Sequence, residues 1–216
     1  MFITFEGIDL SGKSTQAEML VAKLQEVPVG GSGIRRKIRF LREPGGTAIS
    51  ERLREILLDR KNLEMSPWAE LFLFSAARAQ LVTEVIRPAL AGGEIVVCDR
   101  FYDSTTAYQG YGRGLDLDTI QHINAAATGG TNPHLTIFVD IPVEEIERRR
   151  MRAQLGSDRM ESAGRAFFER VRNGYLEIVR REPARVIGVD GTASVEQVHQ
   201  NVWRAVARHS LLSQSA

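Results

Sequence analysis

Short apolar runs alternate with helical stripes along this chain. Phe2-Ile3-Thr4-Phe5 is apolar or β-branched throughout and reads as a buried strand. A helix is expected from about Ser14 to Gln25, followed by the Gly-rich connection Val27 to Gly33 and the basic residues Arg35, Arg36, Lys37 and Arg39. Ile38 to Leu41 predicts a short second strand. It ends in Arg42-Glu43-Pro44-Gly45-Gly46-Thr47, a dense turn signal. Ile49, Leu53, Ile56 and Leu57 then recur at helical spacing to about Asp59. Ser66-Pro67 is a helix start, with Ser at the cap and Pro in the first turn. That helix carries Leu71 through Ile86, kinks or ends at Pro88, and is closed by Gly92-Gly93.

The second half repeats the alternation. Ile95 to Cys98 is a continuous apolar strand with Asp99-Arg100 at its end. Helical stretches follow near 104–109 and 117–127. Thr136 to Val139 is a fourth strand ending in Asp140, and Pro142 opens a helix to about Arg152. After the polar stretch Ala153 to Asp158, a long helix resumes near Met160, with Phe167, Phe168, Val171, Tyr175 and Ile178 on one face. Val186 to Val189 is a fifth strand, and Ser194 to Gln197 caps an amphipathic last helix. Five apolar strands alternating with helices predict an α/β fold, a parallel sheet covered on both faces, in one domain spanning 1–216. Ligands of such sheets bind beyond the C-terminal strand ends. The Gly7, Arg42, Asp99-Arg100 and Asp140 segments all fall there.

Composition narrows the picture. A net charge of +1 gives no global attraction to nucleic acid or membrane. The single Cys98 excludes an internal disulfide and a Cys-rich metal site. No signal-peptide pattern precedes the first strand, so the cytoplasm is the expected compartment. Of 28 basic residues 24 are Arg, which suits bidentate phosphate contacts, though base composition accounts for most of them.

The chemistry starts at Gly7-Ile8-Asp9-Leu10-Ser11-Gly12-Lys13-Ser14-Thr15, which fits G-x-x-x-x-G-K-[ST] between a strand and a helix. Such a loop turns several N–H groups toward one phosphate chain and adds the positive end of the helix. Lys13 supplies a point charge, and the Ser14 hydroxyl suits Mg²⁺. Asp99 is placed like the carboxylate that orients that metal, or is a simple strand-end cap. Arg100 beside it would face an acceptor phosphate. Arg54 either converges there or is an exposed helix residue. Arg148, Arg149, Arg150, Arg152 and Arg159 bracket the polar break; they read as a flap of cations over the phosphates or as a solvated face. No Asn-Lys-x-Asp guanine motif is present.

Taken in order, the P-loop, Arg42 to Thr47, Leu73-Phe74-Ser75-Ala76-x-Arg78, Asp99-Arg100, Ser104-Thr105-x-Ala107-Tyr108-Gln109-Gly110 and Asp158-Arg159-x-Glu161 resemble bacterial thymidylate kinases from Phe2 to about Gln197. The resemblance implies a P-loop NTPase sheet in the order 2-3-1-4-5, ATP and dTMP as substrates, Mg²⁺ as cofactor, and no nucleic acid or membrane partner. It further implies a homodimer formed by helices around 48–58, 67–90 and 104–109. Phe74 would stack on thymine, Arg78 would bond its exocyclic oxygen, and Thr105 and Gln109 would read the base edge. Tyr108 would lie under the deoxyribose, Asp9 near the 3′-hydroxyl, and Glu43 near the sugar or metal, with the Glu43–Pro44 bond cis. Arg54 and Arg100 would hold the acceptor phosphate. A lid at about 150–161 would bring Arg150, Arg152 and Arg159, the last two as catalytic cations beside Lys13 and Arg100. Leu10 departs from the family's small residue and is not Arg, which suits a catalytic arginine in the lid. Gln154 stands where some relatives carry a lid Arg, the Val29–Arg36 loop is longer, and His134 replaces a frequent Asp. Rival readings are a kinase of another nucleoside monophosphate and a P-loop module without turnover.

Overall fold

In the computed structural model, residues 1–26, 36–153, 159–160 and 164–209 are described. The expected Val29–Arg36 loop (apart from Arg36), Gln154, Asp158 and Glu161 lie outside them. β1 (Phe2–Glu6) is buried at every position, as a continuous apolar run requires, and lies at the centre of a five-stranded sheet. The order is β2 (Ile38–Arg42), β3 (Ile95–Asp99), β1, β4 (Leu135–Asp140) and β5 (Val186–Asp190), all parallel, as the P-loop reading implies. Register places Asp99 opposite both Phe5 and Arg42, and Asp140 opposite Asp190. The strand ends therefore form one rim, and the turns leaving them share a common space.

Helices cover both faces. α1 (Lys13–Glu26) lays Leu20 and Leu24 into a core with Ile3, Phe5, Val97 and Ile137. α2 (Ala48–Leu58) starts at Thr47, whose side chain accepts from Ser50 N. α3 (Pro67–Leu81) starts at Ser66, which accepts from Ala69 N. Pro88 does not end this helix: the chain widens into a π-helical turn at Val82–Ile86 and continues as α4 (Arg87–Ala91). A wide turn just before a proline accommodates its missing N–H and its ring. α5 (Tyr102–Thr105) likewise runs on as a π-helical segment, Thr106–Gly112, where a single short helix near 104–109 was expected. α6 (Leu117–Thr128) is capped by Asp116 and ends at Gly129 in the left-handed region. α7 (Val143–Ala153) and α8 (Arg165–Arg181) flank the polar break. α8 begins five residues after Met160, where the helix was expected to resume; Met160 itself is a buried turn residue. α9 (Val195–Ala207) packs Val198, Val202 and Val206 against the same core as α1.

Candidate active site

The loop after β1 is shaped by sterics. Gly7 has φ +150°, and a Cβ there would stand 2.6 Å from the Val139 carbonyl oxygen. Gly12 has φ +93°, again a glycine conformation. Leu10 takes φ 59° without being glycine, a conformation that costs on the order of 1–2 kcal/mol. Arg149 holds the loop from outside: its Nη1 donates to the carbonyls of Leu10 and Ser11 at 3.0 Å each, and its Nη2 to Gly191 at 2.7 Å. In sequence it was one member of a cation run; its anchoring role depends on a contact across 138 residues and leaves no local signal.

Lys13 opens α1 and is buried, yet its ammonium makes no hydrogen bond or ion pair among the described residues. Burial, then the charge of Arg100, pull its pKa down, while Asp99, Asp9 and Glu6 resist. The Ser14 hydroxyl donates to Asp99 Oδ2 at 2.5 Å, and the buried Asp99 Oδ1 has no hydrogen-bond partner among the described residues. Two adjacent hard oxygen donors, one lone pair unspent, fit a Mg²⁺ that takes its other ligands from phosphates and water. No group of three or more carboxylate, His or Cys side chains among the described residues offers a self-sufficient metal cage.

Beside the loop lies a cavity lined by Asp9, Glu43, Pro44, Arg54, Leu58, Phe74, Arg78, Arg100, Phe101, Ser104, Thr105, Tyr108, Gln109 and Met160. All nine residues expected on the acceptor side are in this set. Two of the cavity's cations, Arg78 and Arg100, are already matched by carboxylates. Arg78, 1% exposed, pairs with Glu43 and donates to Asn124 Oδ1 at 3.1 Å and Thr105 Oγ1 at 2.9 Å. Glu43 is thus spent on Arg78; burial raises its pKa against the pull of that guanidinium. The Glu43–Pro44 bond is cis. Arg54 is half-buried rather than a free surface cation, with Nη1 donating to the Pro44 carbonyl at 2.9 Å. Phe74 is half-buried, its ring available to the cavity.

Arg100 joins the two halves. Its Nη2 donates to Asp9 Oδ1 at 2.5 Å and Tyr108 Oη at 3.1 Å, and its Nη1 to the Gly7 carbonyl at 3.0 Å. Its guanidinium lies 5.0 Å from the Tyr108 ring centroid. Burial works against the Asp9 charge, but Arg100, Lys13 and the Tyr108 hydroxyl outweigh it and hold Asp9 below its usual range. Beneath them Glu6 accepts from Phe101 N at 2.7 Å, Ser104 Oγ at 2.6 Å and Tyr175 Oη at 2.8 Å. Burial, then Asp103, push its pKa up to about 7. Sequence reading placed Tyr175 only on an apolar face and gave Glu6 no role; both are polar parts of the site.

The lid arginines separate. Arg152 is exposed at the end of α7 and makes no ion pair among the described residues. Arg159, expected to reach the phosphates with it, is instead 4% exposed. Its Nη1 donates to Glu70 at 2.6 Å and its Nε to the Leu57 carbonyl at 2.6 Å. The reason is Glu70: a carboxylate buried to 1% exposure holds cations beside it. His134 is exposed, its Nδ1 accepting from Phe2 N.

A parallel sheet in 2-3-1-4-5 order, a phosphate-binding loop after its central strand, and a Ser–Asp pair at the neighbouring strand end define a P-loop NTPase. The family model described as Thymidylate kinase matches residues 5–202. Thymidylate kinase of Kosmotoga olearia is 48% identical over 94% of this chain and 93% of its own. That of Chlorobium luteolum is 46% identical over 92% and 93%. The crystal structure of thymidylate kinase from Ehrlichia chaffeensis superposes with a TM-score of 0.76 at 33% identity, over 95% of this chain and 98% of that one. The chain belongs to the thymidylate kinase family, which disfavours a nucleotide-binding module without turnover.

Proposed function

We propose that the chain transfers the γ-phosphoryl group of ATP to dTMP, giving dTDP and ADP. One observation carries the assignment of the site: the nine acceptor-side residues line one cavity, which meets the P-loop at Asp9 and Arg100. The P-loop amides and Lys13 hold the donor phosphates. Thymine stacks on Phe74, with Arg78, Thr105 and Gln109 along its edge; the sugar lies over Tyr108 near Asp9; Arg54 and Arg100 hold the acceptor phosphate in line. Ser14 and Asp99 hold Mg²⁺, which when bound neutralises charge on the transferring group. The protein's work is alignment of two anions and charge matching, rather than covalent chemistry. Arg152, at the end of α7 and without an ion pair among the described residues, adds charge as the lid of about 150–161 closes; Arg159 anchors the chain beyond it.

The working unit is a homodimer in the cytoplasm. Ile49 and Ile56 of α2 and Trp68 and Phe72 of α3 are exposed apolar side chains on adjacent helices, with Trp68 and Phe72 ring centroids 6.1 Å apart. A second copy covers such a face. Among the described residues no helix is long and apolar enough to cross a membrane. A coupled ADP-release assay with ATP and dTMP, dUMP, dCMP, dGMP or AMP tests the reaction. dTMP is expected to give the highest kcat/KM; no release with any acceptor, or a higher value with a purine nucleotide, overturns the reading.

A further inference from the structure

Glu70 lies on α3, behind the acceptor cavity rather than in its lining, and the phosphoryl transfer makes no use of it. It is nevertheless the most heavily engaged carboxylate of that region. Gln109 Nε2 donates to its Oε1 at 2.9 Å, and Arg113 bridges both oxygens at 3.1 and 3.0 Å. Arg159 donates to its Oε2 at 2.6 Å. Burial opposes its charge, but the bonds from Arg113 and Gln109 prevail and hold its pKa below the usual carboxylate range. An ionised carboxylate only accepts hydrogen bonds.

That fact fixes an amide. Gln109 has one end that donates and one that accepts, and only the amino end can face Glu70. The carbonyl end, Oε1, makes no hydrogen bond among the described residues, and Gln109 lines the cavity. Arg78 and the half-buried ring of Phe74 line the same space. A planar ligand there meets the Arg78 guanidinium, a cation whose Nε has no hydrogen-bond partner among the described residues, and an acceptor from Gln109. The matching edge is a carbonyl next to a ring N–H, as thymine and uracil present; cytosine presents an amino group next to a bare nitrogen.

We propose that Glu70 is a positioning residue for base selection: it locks the Gln109 amide so that Oε1 faces the acceptor base, and so favours a ring N–H over an unprotonated ring nitrogen. This rests on the acceptor reading above. With Glu70→Gln the partner of Gln109 can donate or accept, the amide turns over freely, and Gln109 can offer its amino group to cytosine.

The test is kcat/KM with dTMP and dCMP for wild type, Glu70→Gln and the exchange Glu70→Gln/Gln109→Glu, with calorimetric affinities for both nucleotides. Glu70→Gln should lower the dTMP-over-dCMP ratio by roughly ten- to a hundredfold, the range set by one misplaced buried hydrogen bond. The KM for ATP should stay within about twofold, since no P-loop contact involves Glu70. The exchange restores a carboxylate–amide pair with an acceptor toward the base, and should recover most of the ratio. Should Glu70→Gln not fold, the exchange, which keeps one carboxylate in the cluster, carries the test by retaining the dTMP preference. An unchanged ratio in Glu70→Gln, even with lowered stability, reduces Glu70 to a structural ion-pair partner and overturns the proposal; so does an exchange without preference. A wild type that does not prefer dTMP overturns the acceptor reading itself, a distinguishable result.

Discussion

The donor and acceptor sides of this site are built in opposite ways. The proposed donor side is the nine consecutive residues Gly7 to Thr15, which offer mostly backbone amides, together with Arg152 at the end of α7; its two cations, Lys13 and Arg152, make no ion pair among the described residues. The acceptor side is assembled from segments between Asp9 and Met160. Two of its cations already have carboxylates, Arg78 with Glu43 and Arg100 with Asp9, as has Arg159 with Glu70 behind it. An unpaired cation is held for an incoming anion and contributes little to the fold. A buried pair contributes to both, because removing one partner strands the other. Activity and stability should therefore separate on the donor side and move together on the acceptor side.

The largest expected effects are on the donor side, mainly in kcat. Arg152→Ala should lower kcat by about 10³ or more if it matches charge that develops in transfer, with smaller changes in either KM. Lys13→Ala should cost about 10²–10³ in kcat. In both, the urea midpoint should stay near wild type. Wild-type kcat in Arg152→Ala would place the charge match elsewhere; a large stability loss in Lys13→Ala would break the contrast.

Next come the paired cations. Arg78→Ala leaves Glu43 buried and alone, which costs about 3–5 kcal/mol of stability, and should also raise the KM for dTMP more than that for ATP. Arg159→Ala should destabilise by less, since Arg113 still serves Glu70, and should leave kcat closer to wild type than Arg152→Ala does. If Arg159→Ala lowers kcat as much as Arg152→Ala at unchanged stability, the two are both lid cations and the burial of Arg159 does not persist in the closed enzyme. A rise confined to the KM for ATP in Arg78→Ala would misplace the acceptor pocket.

The same contrast explains what could be read from sequence. The strands and the P-loop were legible because each is local: an apolar run, a glycine pattern, a cap; the order of the strands came only with the likeness to a family. The acceptor set was legible only through its likeness to a family, since nothing in Phe74 or Gln109 taken alone separates a pocket wall from a core. The pairings were not legible at all. Arg149 clamps a loop 138 residues away, Glu6 meets Tyr175 across 169 residues, and Arg159 finds Glu70 across 89. Glu70 stands in the apolar run of α3 beside Trp68 and Leu71, where an isolated carboxylate was a hint of a buried partner.

Glu6 sits at the junction of the two sides, and its titration probes how tightly they are joined. Its pKa is about 7 in the fold against an ordinary 4.5. Between those values the folded chain keeps a proton that the unfolded chain has released. The contribution of Glu6 to stability is thus full below about pH 4.5 and is lost as pH rises through about 7. Urea unfolding from pH 5 to 8 should show Glu6→Gln gaining on wild type as pH rises, by on the order of 1–3 kcal/mol. Parallel curves for the two proteins would mean that Glu6 is ionised throughout.

The smallest effect expected is at Tyr108, where the two sides touch. Its hydroxyl donates to Asp9 Oδ2 at 3.1 Å and accepts from Arg100 at 3.1 Å, so it is part of the paired network. Its ring, with that of Phe167 edge-on at 6.0 Å, forms the surface on which the sugar is proposed to lie. The two parts should have separable consequences. Tyr108→Phe keeps the ring and loses the bridge between Asp9 and Arg100, so the KM for dTMP should rise several-fold while the preference for deoxyribose over ribose holds. Tyr108→Ala removes the bulk beneath the 2′ position, and the dTMP preference over ribothymidine monophosphate should fall by about tenfold, the scale on which a pocket rejects one extra small group. The kinetics of both variants with both acceptors decide it. Equal loss of discrimination in the two would assign exclusion to the hydroxyl, and would mean that the charge pairing of Asp9 and Arg100, rather than shape, reads the sugar.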